Sequence, residues 1–144
     1  MIRFTNMIEI DRPVEKVFAY LSDLEHTPEW NWAITETRKT SSGPVRVGAI
    51  YQQTRSVPKP ATEHLEIITL EPNELLEVQG LLASIPARLS YQLRGHGSRT
   101  TLINNVELRP RSALRFLSPV LAGRIKRAVA ANLDALKARL EGRT

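Results

Sequence analysis

The last quarter of the chain sets the hardest condition on the fold. Val120, Leu121, Ile125, Val129, Leu133, Leu136 and Leu140 recur at spacings of one, four and three residues. That period lays a wide apolar stripe along roughly five to six helical turns, about 30 Å at 1.5 Å per residue. Ala128, Ala130, Ala131, Ala135 and Ala138 add helix propensity. The helical pattern begins at Leu114, and Ser118-Pro119 offer an N-cap and a first helical position, so a break is expected there. A stripe this long needs a matching apolar surface to cover it.

The preceding residues supply one kind of surface. Phe4, Asn6, Ile8 and Ile10 alternate with Arg3, Thr5, Met7 and Glu9, the period of a strand with one buried face. Asp11-Arg12-Pro13 starts a short helix with Val14, Val17, Phe18 and Leu21 on its apolar side. Asp23 to Trp30 reads as a second short helix or turn, interrupted at Thr27-Pro28. Six strands then follow at Ile34–Thr40, Ala49–Val57, Glu63–Leu70, Leu75–Leu82, Arg88–Arg94 and Thr100–Leu108. The segments between them contain the Gly, Pro, Asn or Ser that turns require, and they are short, which favours antiparallel neighbours. The expected architecture is α+β: an antiparallel, curved sheet of about seven strands wrapped around a long C-terminal helix, with two short helices after strand 1. Residues 1–144 read as one domain, an ordinary length for a single core.

Several function classes drop out on composition. The chain has no cysteine, so thiol nucleophiles and cysteine metal sites are excluded. The start, Met1 to Asn6, lacks the apolar stretch of a signal peptide, and no apolar run approaches the ~18 residues of a membrane span. A cytoplasmic protein is expected. The net charge of +5 is unevenly placed: residues 1–110 carry twelve basic against thirteen acidic side chains, and residues 111–144 carry eight against two. Arg111, Arg115, Arg124, Lys126, Arg127, Lys137, Arg139 and Arg143 scatter around the non-apolar side of the helix, with Arg139 near the apolar stripe, and no aromatic ring is interleaved beyond Phe116. This reads as a solvated face, not as a nucleic-acid stripe. His26, His64 and His96 share no metal-ligand spacing, and no pair of carboxylates is set for acid/base work. No metal and no cofactor are expected, and the catalytic residues, if any, are not legible.

The order β-α-α-β6-α and several local strings resemble the START-like (helix-grip, SRPBCC) superfamily, within it the polyketide cyclase/dehydrase and lipid-transport group. The strings are Ile10 to Phe18, Leu21-Ser22-Asp23 through Pro28-Glu29-Trp30, Val47-Gly48-Ala49, Leu70 to Asn73, Gly97 to Leu102 and Asn132 to Lys137. The resemblance spans residues 4–141 and is carried by structural punctuation. It implies a cavity for an apolar ligand between the long helix and the sheet, used in some members for carriage and in others for ring closure or dehydration.

The alternation proposes what would line such a cavity. Tyr51, Gln53 and Arg55 share a strand face with Ala49, Leu89 and Leu93 share one with Tyr91, and Leu102, Val106 and Leu108 share one with Asn104. Tyr51, Gln53, Tyr91 and Asn104 would then be polar tips on an apolar wall, the make-up of a small-molecule pocket. The alternative is that the tyrosines reach solvent and Asn104 pairs with a neighbouring side chain. Trp30 reads as core, while Trp32 is a candidate cap at the mouth. Leu121 and Ile125 of the helix would close the cavity, and Phe116 and Leu117 would stand near its entrance. Arg55 reads as emerging into water and His64 as a surface or edge group, although either would gain a chemical role by facing the cavity. The expected function is binding, transport or sequestration of a small hydrophobic or polycyclic ligand. One alternative is a cyclase/dehydratase-like enzyme; another is an interaction module using the basic helix. Expected partners are the ligand and at most a transient membrane contact, with no nucleic acid, for a monomer or homodimer.

Overall fold

A computed structural model describes residues 1–110 and 119–143. Strand β1 is Ile2–Ile10, helix α1 is Val14–Ser22, and a 3-10 helix covers Leu24–Glu29. Strands β2 (Ile34–Lys39), β3 (Ile50–Arg55), β4 (Ala61–Glu71), β5 (Leu75–Leu82), β6 (Ile85–His96) and β7 (Arg99–Leu108) follow, then helix α2 (Pro119–Leu140). The seven described strands form one antiparallel sheet in the order β1-β7-β6-β5-β4-β3-β2. The two short helices bridge its opposite edges. This is the expected helix-grip architecture.

Local chemistry explains most boundaries. Pro13 is the N-cap of α1, and its carbonyl accepts from the Lys16 and Val17 amides at 3.1 and 3.2 Å. The Asp23 carboxylate accepts from the Glu25 amide at 3.2 Å and opens the 3-10 helix. Register shifts at Ile34/Glu36 in β2 and Ile67/Thr69 in β4 are the irregularities that bend a sheet. The β5–β6 connection is tighter than the sequence suggests. Expected to end at a turn around Ser84-Ile85-Pro86, it instead turns on Ala83 and Ser84, at φ 51° and 68°, and β6 begins at Ile85. Pro86 lies near the start of β6, paired with Leu81, and its carbonyl accepts from the Arg109 amide at 2.9 Å.

The concave face carries the core. Ile10, Val17, Leu21, Ile67, Leu76, Leu102, Leu133 and Leu136 are all but fully buried in one cluster. Val14 of α1 lies against Gly95 of β6 so closely that a Cβ there would stand 2.9 Å from its Cγ1. Glycine at 95 lets α1 seal that end of the sheet. The C-terminal half of α2 is fastened to β1. Glu141 accepts from the Asp11 amide at 2.7 Å and from Lys137 and Arg143 at 2.8 Å each, while Lys137 also reaches the Glu9 carbonyl. The N-terminal half is different. Leu121 is exposed, Ile125 and Val129 are only partly buried, and Val120, expected on the buried stripe, points to solvent. The helix is sealed onto the sheet at its C-terminal end and rests on it more loosely in its first half, through Ile125 and Val129 and a 3.3 Å hydrogen bond from Asn6 Nδ2 to the Lys126 carbonyl.

Candidate functional site

The looser packing leaves a cavity of about 470 Å³ between the sheet and the first half of α2. Leu121, Ile125, Ala128 and Val129 form its helical wall, and Val78, Leu89, Val106 and Leu108 belong to the sheet wall. A strand face exposes every second residue, so a wall built from strands β5 to β7 is uniformly apolar wherever the sequence alternates cleanly. Trp30 and Trp32 both line the cavity. Trp30 ends the 3-10 helix and is 8% exposed, whereas Trp32 follows in a turn and is 62% exposed at the rim.

Two polar groupings interrupt the apolar wall. The first joins β3 and β4. Gln53 and Glu63 are register partners, and the Glu63 carboxylate accepts from Gln53 Nε2 at 2.7 Å, Arg55 Nε at 2.8 Å and the Ala83 amide at 2.6 Å. Arg55 therefore does not emerge into water as expected. Its side chain is mostly buried and ion-paired, with a further long contact from Nη1 to the Val57 carbonyl at 3.4 Å. The same hydrogen bond to Ala83 ties the β5–β6 turn to this network. The second grouping joins β6 and β7, where Tyr91 and Asn104 are register partners. Burial pushes the Tyr91 phenol pKa well above its usual 10.0, so the group stays a neutral hydroxyl at any ordinary pH. Asn104 Nδ2 donates to the Ser90 carbonyl at 3.1 Å.

The sequence candidates separate as follows. Trp32, Gln53, Tyr91, Asn104, Leu121 and Ile125 are brought together around the cavity. Tyr51 is not on its lining. It points inward, but it packs in the closed core at 1% exposure, and its hydroxyl finds no hydrogen-bond partner among the described residues. Burial, with Asp23 and Glu25 nearby, raises its pKa to about 12. Alternation assigned the correct face; it could not say where along that face the helix lifts away. Phe116 and Leu117 lie outside the described residues, as do Arg111 and Arg115. His64 lies on the opposite, solvent-exposed face of β4. Glu63 shares its phase with Leu65 and Ile67 and turns inward, a position that the same alternation marks. Asn132 and Arg124 of α2 also line the cavity and carried no signal beyond helical position. Among the described residues no cluster of three or more metal-ligating side chains occurs, and no helix is long and apolar enough to cross a membrane.

The family model for polyketide cyclase / dehydrase and lipid transport matches residues 1–141. The chain belongs to this family. No curated protein matches it in sequence. Among solved structures, it superposes on a START superfamily protein from Mycobacterium smegmatis with a TM-score of 0.84 at 13% identity, covering 99% of both chains. It superposes on the Zhui aromatase/cyclase from Streptomyces sp. R1128 with a TM-score of 0.77 at 15% identity, covering 96% of this chain and 93% of that one. The di-domain ARO/CYC BexL matches at 0.74 and 14% identity, with this chain spanning 47% of its length. At such identities the likeness to these structures shows the START-like fold.

Proposed function

We propose that residues 1–144 act as one ligand-binding domain that holds a small, mostly apolar ligand under the N-terminal half of α2. The supporting observation is the cavity of about 470 Å³, with an apolar wall broken by polar groups on two sides. Trp32, Gln53, Tyr91, Asn104, Leu121 and Ile125 are the contacts proposed. Phe116 and Leu117 remain proposed contacts at the entrance. A cyclase-like reading shares the same cavity, and the family description supports either role. The geometry favours binding. The one carboxylate in the polar network, Glu63, already accepts three hydrogen bonds, which lowers its value as a general base.

The test uses tryptophan emission, since Trp30 and Trp32 both line the cavity. Titration with N-phenyl-1-naphthylamine, an uncharged apolar probe, should quench that emission saturably and raise the melting temperature. Absence of both effects would remove the proposal. Solvent extraction of the purified protein followed by mass spectrometry would identify a retained natural ligand.

A further inference from the structure

The sheet wall of the cavity contains an acceptor with nothing to accept from. Tyr91 and Asn104 stand opposite each other on the β6–β7 ladder, so their Cβ atoms are about 4.5–5.5 Å apart on one face. Both line the cavity, at 8% and 1% exposure. The chemistry of Ser90 fixes the Asn104 amide. A backbone carbonyl accepts only, so the group facing it must be the NH₂. That leaves Oδ1 buried and without a partner among the described residues. An unmet buried acceptor is destabilising, and native structures retain few of them. Thr37 and Tyr51 also carry unpartnered oxygens, but neither residue lines the cavity.

We propose that Tyr91 and Asn104 together recognise a neutral hydroxyl group on the ligand. The ligand O–H donates to Asn104 Oδ1, and the ligand oxygen accepts from the Tyr91 phenol. This rests on the cavity being a ligand site. The surrounding wall of Leu89, Val106 and Leu108 takes the apolar body. The occupant is therefore a phenol or alcohol on a hydrocarbon frame. A carboxylate has no proton for Oδ1 and would set lone pairs against it. An ether or ketone satisfies Tyr91 alone. Of the two cations on the lining, Arg55 is already neutralised by Glu63, and Arg124 stands exposed on α2, away from the Tyr91–Asn104 pair on the sheet.

Four probes on one naphthalene frame separate these cases: 2-naphthol, 2-methoxynaphthalene, naphthalene and 2-naphthoate, titrated at neutral pH. 2-Naphthol should bind about tenfold tighter than 2-methoxynaphthalene, the worth of one satisfied buried acceptor. Asn104→Leu should bring that ratio close to one while naphthalene binds as before. Tyr91→Phe should weaken 2-naphthol and 2-methoxynaphthalene alike, by roughly three- to tenfold, and keeps the test decisive if Asn104→Leu does not fold. Equal affinity for 2-naphthol and 2-methoxynaphthalene, or tightest binding of 2-naphthoate, would overturn the inference and leave the cavity as a ligand site. Failure of every probe to bind would overturn both.

Discussion

Glu63 receives donors from a side-chain amide and a guanidinium of β3 and from a backbone N–H of the β5–β6 turn. Removing the carboxylate leaves a mostly buried Arg55 without its counter-charge. Glu63→Ala should cost about 3–5 kcal/mol in denaturant unfolding, and adding Arg55→Met should recover part of it. Glu141 gives a pH-dependent case. Hydrogen bonds from Lys137 and the Asp11 amide hold its pKa down, to about 2 from 4.5. A depressed carboxylate contributes stability above its unfolded value, and that contribution is lost as pH falls through the folded one. The stability difference between the native chain and Glu141→Gln should thus be full at neutral pH, then fade between about 4.5 and about 2 in acid melts. At this scale the sequence was legible wherever period two settled a side. Gln53, Tyr91 and Asn104 face inward as read, and Glu63 follows the same rule. Tyr51 shows the rule's limit, since depth along a strand depends on what covers it.

Helix α2 behaves as two elements joined end to end. Leu133 and Leu136 are sealed in the core, while Leu121 and Ile125 front the cavity. Leu136→Ala should cost 2–5 kcal/mol by denaturant titration. Leu121→Ala should change stability by about 0.5 kcal/mol or less and appear instead as weaker probe binding. Both residues lie on the same stripe in the sequence, so periodicity alone cannot rank them. The β5–β6 turn is the other element with a separable effect. Ala83 and Ser84 both occupy the left-handed region, which costs a non-glycine residue about 1–2 kcal/mol. Ala83→Asn with Ser84→Gly supplies the residues such a two-residue turn prefers and keeps the amide that Glu63 uses. The double variant should melt several degrees higher, read by circular dichroism.

Across the whole molecule, the order of elements was legible because each is built from short-range patterns: alternation, turn residues and a helical stripe. The separation of α2 from the sheet was not, because it depends on how far the bent sheet and the α1 seal hold the helix away. The strand order has a further consequence, for the time course of folding. β1 pairs with β7, bringing Ile2 opposite Leu108, while β2, the next strand in the chain, lies at the far edge. The first strand made is therefore the last to find its neighbour, and until some hundred residues have followed it remains an open edge. Refolding should accordingly be slow for a chain of this length, in the millisecond-to-second range by stopped flow.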